Sequence, residues 1–414
     1  MQSVGVFHPG TQHSWQTARA FQDGDMLQWY ATSLFFNDRK WPYQISRWLP
    51  KPMARKVTEE FNRFHHPHIQ TRFVRDYWTF ELMFRVAARA GLKGLKGRLN
   101  RASDAYLARR VSALTRQERV NLLWGYDGCS LEAFQSAKPQ GTKLVLDKTI
   151  GDWRAYDAIM AKAREDYREF FIPGEKKVSS EVIARQDEEY SLADRIVVGS
   201  AFCGNTIRSV RQDVGDKIKV VPYCFDDVFF GCEQKETSER TDNPVRFLFV
   251  GGACARKGIH LVLKAFERIP PEAASLTILG SLQIPKETFA RYADRVTLEP
   301  SVSRRKVVDY MRNADCLVFP SYFEGSAISV YEALASGLAV IATENAGVDI
   351  DSTVGRIVPV GCERALYDAL MSAIDDRQKL SSWKNAAREF SKRLNYANYS
   401  DNVRGVAQNL LMEA

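Results

Sequence analysis

One stretch of the chain, residues 315–343, constrains the fold more than any other. It opens with the apolar run Asp315–Phe319, passes through a turn that contains Gly325, and continues with an apolar segment of helical spacing. A second apolar run, Leu338–Thr343, closes it. A strand, a tight turn, a helix and a strand in this order predict one unit of a parallel α/β sheet.

Two glutamates lie eight residues apart in this unit. Glu324 falls in the turn, at the carboxyl end of the first strand, and Glu332 falls in the helix, about 12 Å further along its axis at about 1.5 Å per residue. Carboxylates so far apart cannot share one proton or one metal ion, but they can bind two ends of an extended ligand such as a nucleotide sugar. Gly325 and Ser326 fall where the helix is expected to begin, and free backbone N–H groups there favour an anion.

The run Pro320–Gly337 resembles the Glu-x7-Glu signature of retaining glycosyltransferases with the GT-B fold, of the "glycosyl transferases group 1" kind. Its Pro-Ser, Glu-Gly, Glu-Ala and Ser-Gly pairs stand in the order of that signature. The similarity is good over residues 245–362 and looser elsewhere. It implies an α/β protein with two Rossmann-like domains, whose parallel sheets face a central cleft.

A second informative run, Phe249–Gly258, follows a predicted strand. Gly251 and Gly252 would let the backbone approach a diphosphate, and Arg256 and Lys257 would neutralise its charge. The resemblance implies that Lys257 binds the diphosphate. Relatives often carry an arginine where Gly252 stands, so Arg256 is the candidate to supply the second cation.

The first predicted strand, Val4–Phe7, is followed by a loop that contains Gly10, Thr11 and His13. This loop resembles the N-terminal glycine loop of the same transferases, which faces the sugar and phosphate of the donor across the cleft. His13 precedes a predicted helix, Ser14–Gln22. We therefore expect His13 to contact the transferred sugar or the acceptor.

Relatives often carry a histidine near the acceptor, at the end of a middle strand of the N-terminal domain. The corresponding stretch here, Val145–Thr149, has none. Asp147 and Lys148 are the two candidates for that place, and the sequence leaves both open.

The composition is that of a globular chain with two or three domains: 414 residues, 45% hydrophobic and 26% charged. No apolar run approaches about 18 residues, so no membrane span is expected. Residues 1–7 lack the basic start and long apolar core of a signal peptide. Seven scattered cysteines without a Cys-x2-Cys pair predict reduced thiols in a cytoplasmic protein, rather than a disulfide frame or a zinc site.

The net charge of +8 is unevenly distributed. Between Arg85 and Arg110 there are eight Lys or Arg residues and one acid, Asp104, and Trp41 and Trp48 stand among further cations. Such stretches suit an anionic membrane surface and a peripheral location on its inner face; an ordinary solvated basic face is the alternative. Nucleic acid is not an expected partner, because no helix-turn-helix, zinc or RNA-recognition signature is present.

The alternation of strand and helix patterns predicts the domain organisation. An N-terminal acceptor domain is expected over residues 1–232, a nucleotide-sugar donor domain over 245–392, and a C-terminal helix over 393–414 that, by the resemblance, crosses back to the first domain. The polar stretch Gly231–Pro244 is interpreted as the linker. The predicted strands are Val4–Phe7, Leu122–Gly125, Lys143–Leu146, Arg195–Gly199, Ile218–Pro222, Val245–Gly251, Ser275–Leu279, Val296–Leu298, Cys316–Pro320, Leu338–Thr343 and Gly355–Val360.

The resemblance implies a retaining glycosyltransferase that moves a sugar from a nucleotide sugar to a glycan or lipid-linked acceptor, as in surface polysaccharide synthesis. Glu324 and Lys257 are then the catalytic candidates, and Glu332 the ligand of the ribose. Two other functions fit two such domains: a sugar-nucleotide 2-epimerase and an inactive sugar-nucleotide-binding protein.

No cofactor or metal ion is expected. Asp349 and Asp351 fit the Asp-x-Asp motif of metal-dependent transferases of the other fold. They follow a loop and lack the strand that precedes such a motif, so we interpret them as a turn or a helix cap.

Overall fold

A computed structural model describes residues 2–10, 13–89, 93–175, 177–230 and 244–413 of the protein. Thr11 and nearly all of the expected linker Gly231–Pro244 lie outside these ranges. The described chain forms two β-sheets in which every paired strand is parallel. Strands that run parallel require crossover connections, and the helices of the chain supply them.

The first sheet has seven strands in the order β3-β2-β1-β4-β5-β6-β7. The strands are β1 Val4–His8, β2 Leu27–Thr32, β3 Val74–Asp76, β4 Leu122–Tyr126, β5 Lys143–Lys148, β6 Arg195–Val198 and β7 Ile218–Val220. The helices of this part are α1 Ser14–Asp23, α2 Lys51–Phe61, α3 Thr79–Arg89, α4 Lys93–Gln117, α5 Leu131–Ala137, α6 Trp153–Asp166, α7 Ser180–Leu192, α8 Ala201–Arg208 and α9 Asp227–Phe230.

The second sheet has six strands in the order β10-β9-β8-β11-β12-β13. The strands are β8 Val245–Val250, β9 Ala274–Leu279, β10 Thr297–Glu299, β11 Cys316–Phe319, β12 Ala339–Ala342 and β13 Gly355–Ile357. The helices are α10 Ile259–Arg268, α11 Lys286–Ala290, α12 Arg304–Asn313, α13 Ile328–Ala335, α14 Glu363–Asp375, α15 Arg377–Ser391 and α16 Tyr396–Met412.

The order in which successive strands are added reverses at one point in each sheet: between β1 and β4 in the first sheet and between β8 and β11 in the second. Two loops diverge at such a point and leave a crevice outside the carboxyl ends of the strands, where ligands of parallel sheets bind. The loops that follow these four strands are therefore the places to look for a site.

All eleven predicted strands are present, but the sequence patterns did not reveal β2 and β3. The strand β2 is buried at five of its six positions, so it lacks the alternation of apolar and polar residues that marks a half-buried strand. The strand β3 is only three residues long and lies at the edge of the sheet. A segment that short carries too little pattern to be recognised.

The last helix, α16, packs on the first helix of the chain, α1. The hydroxyls of Tyr399 and Thr17 lie 2.7 Å apart, and the Tyr396 hydroxyl donates to Asp23 at 2.7 Å. Val403 joins the same buried apolar cluster as the first sheet. The C-terminal segment is thereby tied to the N-terminal half, although the domain boundaries given above stay a prediction.

The two halves meet at glycines that leave no room for a side chain. A Cβ on Gly325 would lie 1.9 Å from the carbonyl oxygen of Thr149, and one on Gly199 would lie 2.6 Å from the Cβ of Ser326. A Cβ on Gly151 would lie 2.5 Å from the ring of Phe323. The loops after β5 and β6 therefore touch the loop after β11 directly across the cleft.

The expectations of reduced thiols and of no membrane span can be compared with the described part of the chain. The six cysteines within it are free thiols. None of its helices combines the length and apolar character needed to cross a bilayer.

Candidate active site

The loop after β8 brings a lysine to the crevice. Gly251 has a φ of +123°, and a Cβ there would lie 3.5 Å from the ammonium nitrogen of Lys257. Gly258 has a φ of +74°, and a Cβ on it would lie 2.1 Å from the carbonyl oxygen of Pro320. Because only glycine fits these two positions, the loop can fold back against the end of β11 and hold Lys257 there.

Three predicted site residues form one ion cluster. Glu324 Oε1 lies 2.8 Å from Arg256 Nη1 and 2.9 Å from Lys257 Nζ. Arg256 also donates to the carbonyl oxygen of Phe323 at 2.5 Å, so it anchors the turn that carries Glu324. Two cations beside one carboxylate leave a net positive charge, which suits an anionic ligand.

Gly252 lies against a side chain from the loop after β9. A Cβ there would lie 2.6 Å from the amide nitrogen of Gln283, which donates to the Ser281 hydroxyl at 2.9 Å. A larger residue at this position would have to displace the exposed end of Gln283. Gly252 therefore faces the loop after β9, whereas Gly251 faces Lys257.

The helix after Glu324 begins later than the sequence suggested. Gly325 and Ser326 lie in an extended loop, and α13 starts at Ile328. Tertiary contacts explain the difference: Glu324 N–H donates to Asn345 O at 3.1 Å, and Ala327 N–H donates to Ala346 O at 3.0 Å. The expected separation of about 12 Å between Glu324 and Glu332 assumed continuous helix, whereas the helix is present only from Ile328 onward.

The loop nevertheless presents backbone donors to the cleft. The carbonyl oxygen of Gly325 accepts a hydrogen bond from the Ser200 hydroxyl on the opposite half. Within the described ranges, the N–H groups of Gly325 and Ser326 have no hydrogen-bond partner. Such groups beside Lys257 are suited to hold the oxygen atoms of a ligand.

Glu332 is paired with a residue that the sequence patterns did not single out. Glu332 is buried on α13, and its Oε1 forms an ion pair with Arg304 Nη2 at the start of α12. The Arg304 Nε lies 3.8 Å from the carboxylate of Asp226 in the first half. Burial raises the pKa of Glu332, and the guanidinium of Arg304 opposes that rise. No local motif marks Arg304, which looks like one of three adjacent surface cations.

His13 lies at the start of α1 against a buried carboxylate. Its Nε2 is 3.3 Å from Asp147 Oδ2, which also accepts from Trp124 Nε1 at 3.2 Å. Tyr223 donates to the other oxygen of Asp147 at 3.1 Å. Of the two residues that the sequence left open at the end of β5, Asp147 therefore contacts His13. Lys148 instead pairs with Asp127 at 3.2 Å.

His8, the last residue of β1, also faces the cleft. His8 Nδ1 lies 2.8 Å from the backbone nitrogen of Gly10 and 3.1 Å from its carbonyl oxygen, so it accepts from the N–H in one tautomer and donates to the carbonyl in the other. Burial lowers the pKa of His8 to about 4, which keeps the ring neutral at neutral pH. Gly10 was predicted from the sequence to lie in the site, whereas no role was predicted for His8.

A cavity of about 500 Å³ lies between the two halves. It is lined from the first half by His8, His13, Trp15, Asp127 and Trp153, and from the second by Arg304 and Ser326. The cavity thus brings the N-terminal loop and the turn after β11 together around one space. That space is large enough for part of a drug-sized ligand.

Asp351 of the Asp-x-Asp motif lies in a turn. Asp351 Oδ1 accepts from the backbone N–H of Thr353 at 2.8 Å, the geometry of a turn capped by its own aspartate. Within the described part of the chain, no three His, Cys, Asp or Glu side chains are grouped to hold a metal ion.

Comparison with solved structures identifies the class of fold. Sucrose-phosphate synthase from Thermosynechococcus elongatus superposes over 100% of both chains with a TM-score of 0.68 and 15% identity. The Anabaena protein HepE in complex with UDP-glucose covers 99% of this chain and 100% of its own, with a TM-score of 0.61 and 11% identity. The two parallel sheets and the cleft between them are the GT-B fold, as expected from the sequence.

Sequence comparison then identifies the family. Residues 232–390 match the family described as Glycosyl transferases group 1. The D-inositol 3-phosphate glycosyltransferase of Xylanimonas cellulosilytica is 29% identical over 203 residues, which are 44% of this chain and 48% of that protein. This chain thus spans about half the length of that curated relative. Residues 232–390 thus match the group 1 glycosyltransferases, and the resemblance to that family inferred from the sequence is confirmed.

Proposed function

We propose that the protein is a retaining glycosyltransferase that moves a sugar from a nucleotide sugar to a glycan or lipid-linked acceptor, in the synthesis of a surface polysaccharide. The observation that carries the proposal is the cluster of Glu324, Lys257 and Arg256 at the end of β11, beside the free N–H groups of Gly325 and Ser326. The cluster offers cations for a diphosphate and a carboxylate for a sugar within one turn.

The donor would displace contacts that the protein makes with itself. A diphosphate beside Lys257 takes over the ammonium that Glu324 holds at 2.9 Å, and the carboxylate is then free to accept from a sugar hydroxyl. Glu332 accepts from the ribose hydroxyls, with Arg304 beside it. Negative charge grows on the diphosphate as the sugar leaves, so Lys257 stabilises the transition state more than the bound donor.

The transfer step needs no base from the protein. The bond between the anomeric carbon and the phosphate oxygen breaks, and the bond from the acceptor oxygen to that carbon forms on the same face of the sugar. The departing phosphate oxygen takes the proton of the acceptor hydroxyl. Contacts of Gly325 and Ser326 with the first half keep the cleft closed and limit hydrolysis by water.

The first experiment is a panel of UDP, GDP and ADP sugars, beginning with UDP-glucose because HepE was solved with it. Ligand binding raises the melting temperature by mass action and identifies the nucleotide. Product analysis then separates the candidates: transfer or slow hydrolysis supports this proposal, epimerisation supports the 2-epimerase, and binding without turnover supports an inactive binding protein. A melting temperature that no nucleotide sugar raises contradicts all three.

We further propose that the reaction is independent of metal ions. Lys257 and Arg256 already supply the positive charge that a divalent cation would bring to the diphosphate. Transfer should therefore continue in excess EDTA. Loss of activity that Mg²⁺ or Mn²⁺ restores would contradict a metal-independent mechanism.

We also propose that the protein contacts an anionic membrane surface, where a lipid-linked acceptor would reside. Trp48 is 84% exposed, Trp41 58% and Met53 55%. This Trp48 surface also carries the exposed cations Arg39, Arg47, Lys51 and Lys56. Part of the basic stretch Arg85–Arg110, residues 90–92, lies outside the described residues, so the Trp48 surface carries this proposal.

A further inference from the structure

Part of the cavity lining on the first half, the N-terminal wall, is formed by His8, Trp15, Asp127, Thr149 and Trp153, and three of these five side chains are aromatic. Trp15 stacks on His66 with ring centres 4.8 Å apart and planes 15° apart. The ring of Trp153 meets Tyr156 edge-on at 5.6 Å. These neighbours fix the two indoles. Trp15 is only 5% exposed, whereas Trp153 is half-buried, and the Lys148 ammonium lies over one face of the Trp153 ring at 5.5 Å. A ligand can therefore pack on the other face of Trp153 at little further cost in side-chain entropy.

The N-terminal wall also offers hydrogen-bond donors and acceptors to a ligand. Asp127 Oδ1 accepts from the N–H and the hydroxyl of Thr149 at 2.9 and 2.7 Å, and Oδ2 accepts from Lys148 at 3.2 Å. A carboxylate has about four acceptor positions, so Asp127 retains one for a ligand. His8 Nε2 is a donor in the tautomer whose Nδ1 accepts from the Gly10 N–H, and an acceptor in the tautomer whose Nδ1 donates to the Gly10 carbonyl. A sugar hydroxyl both donates and accepts, and it matches this pair.

The charges of the N-terminal wall disfavour a phosphate. Its one neighbouring lysine, Lys148, is 1% exposed at the side chain and is already paired with Asp127. His8 is neutral, since burial lowers its pKa to about 4. Across the cavity, Arg304 is paired with Glu332. A phosphate group, which carries about −1.5 to −2 charges at neutral pH, would meet the carboxylate of Asp127 with no unpaired cation among the described residues of the wall.

We infer that the N-terminal wall binds an uncharged sugar ring of the acceptor, stacked on Trp153 and hydrogen-bonded to Asp127 and His8, and that it rejects phosphorylated sugars and polyols. This inference rests on the proposed function, and it names the class of acceptor for that site. The cations of the ion cluster, Arg256 and Lys257, lie on the other half, where they would serve the donor, and Arg304 there is paired with Glu332. The two substrates are thus separated by charge: the diphosphate on the second half, a neutral ring on the first.

The test is direct binding of small acceptor analogues to the full chain, measured by saturation-transfer NMR with and without UDP. One set of probes is the methyl glycosides of glucose, galactose, mannose, rhamnose and N-acetylglucosamine. The other set is glucose 6-phosphate, mannose 6-phosphate and D-inositol 3-phosphate, the compound after which the Xylanimonas relative is named. We expect transfer of saturation to at least one methyl glycoside and to none of the phosphorylated probes at the same concentration.

Variants of the wall localise the signal. Trp153→Ala should reduce it at least fivefold, and Trp153→Phe, which keeps a ring for stacking, should retain a measurable part. Trp48→Ala removes an equally large ring that is 84% exposed outside the cavity, and it should bind as the wild type does because the assay contains no lipid. Thermal unfolding of each variant confirms that it is folded.

Three results would overturn the inference: phosphorylated probes that bind as well as their parent sugars, a signal that Trp153→Ala leaves unchanged, or no methyl glycoside bound in either condition. Hydrolysis of nucleotide sugars reports on the donor site and does not depend on the acceptor. Failure of this inference with hydrolysis intact is therefore distinct from failure of the proposed function.

Discussion

At the scale of single residues, the structure separates two cations that look equivalent in the sequence. Arg256 donates to the backbone of Phe323 and is held by the turn, whereas Lys257 contacts Glu324 without a backbone anchor of that kind. A ligand can therefore recruit Lys257 more easily. Arg256 contributes charge from a fixed position.

Replacing Lys257 by alanine should lower the rate of transfer by roughly 10²-fold, about 2.7 kcal/mol, as is typical when one preorganised donor to a developing charge is removed. Steady-state kinetics with the best nucleotide sugar of the panel measures it. Lys264→Ala is the matched control, since Lys264 lies on α10 and pairs with Glu363 rather than with Glu324. A folded Lys257→Ala protein with near-normal turnover would remove this residue from the site.

Removing Arg304 should change the pH at which the donor binds. Glu332 must be ionised to accept from ribose, burial raises its pKa, and Arg304 opposes the rise. In Arg304→Ala the pKa of Glu332 should rise further. As the pH is lowered, the variant should therefore lose affinity for the nucleotide sugar at a higher pH than the wild type does. Calorimetry with a nucleotide sugar from pH 5 to 8 measures this shift.

The neighbouring cation provides the control for this experiment. Arg305→Ala removes an exposed charge one residue away and should leave the pH profile in place. Glu332→Ala should lose both affinity and the pH dependence, because it lacks the titrating group. An Arg304→Ala profile that coincides with the wild type would exclude a role for Arg304 in holding Glu332 ionised.

At the scale of elements, loops after parallel strands build the site and also hold the two halves together. The turn after β11 is held by hydrogen bonds to the loop after β12, and it touches the loops after β5 and β6 through glycines. The residues that would contact the donor are therefore the same ones that close the cleft. A small steric change at this contact should affect catalysis more than folding.

Gly199→Ala tests that coupling. The added Cβ would lie 2.6 Å from the Cβ of Ser326 and 2.9 Å from the ring of Tyr223, so the halves must separate to accommodate it. We expect a drop in transfer of at least tenfold with little change in nucleotide affinity, because the donor contacts lie on the second half. Kinetics and calorimetry on the same sample measure the two effects.

Gly405→Ala, in the helix α16, is the control, since no atom lies within 4 Å of its added Cβ. It should leave activity unchanged and stabilise the protein by up to about 1 kcal/mol, because alanine favours a helix over glycine. If Gly199→Ala transfers sugar as fast as the wild type, close contact at Ser326 is not needed for catalysis.

At the scale of the whole molecule, the Trp48 surface combines exposed aromatic rings with positive charge. The net charge is +8, and the most exposed large apolar side chain among those described is Trp48, at 84%. The segment that carries Trp48 and α2 follows β2 along the chain, and Phe64 and Phe61 attach it to Leu34 and Tyr43 in a small apolar cluster. Rings and cations on one segment suit the headgroup region of a bilayer.

The wild-type protein should sediment with vesicles that contain anionic lipid and much less with neutral vesicles. Each cation near such a surface contributes about 1 kcal/mol at most, and the attraction should weaken between 0.1 and 1 M salt as the Debye length falls from about 10 to about 3 Å. Trp48→Ala should reduce the bound fraction. Ile172→Ala, a control at another exposed apolar side chain, should not.

Equal and negligible sedimentation with both kinds of vesicle at low salt would leave the Trp48 surface as ordinary solvated protein. It would also favour a soluble glycan over a lipid-linked acceptor. The donor chemistry at Lys257 and Glu324 does not depend on this result.

The sequence alone predicted parallel α/β sheets and named Lys257 and Glu324 as candidate donor residues, because strand and helix patterns are local. It did not predict that these two residues meet, since that depends on β8 and β11 being neighbours in the sheet. It could not determine where α13 begins, because hydrogen bonds from Glu324 and Ala327 to a distant loop hold the turn extended.

Only the tertiary structure decided which groups face one another across the cleft. His13 and Asp147 are 134 residues apart, and Arg304 meets Glu332 and Asp226 from three different segments. Sheet order sets such contacts, and a local pattern carries no trace of sheet order between distant strands. For the same reason, the sequence did not identify Asp127 and His8 as neighbours in the wall. His8 ends β1 and Asp127 follows β4, and these two strands lie on opposite sides of the point where the strand order reverses.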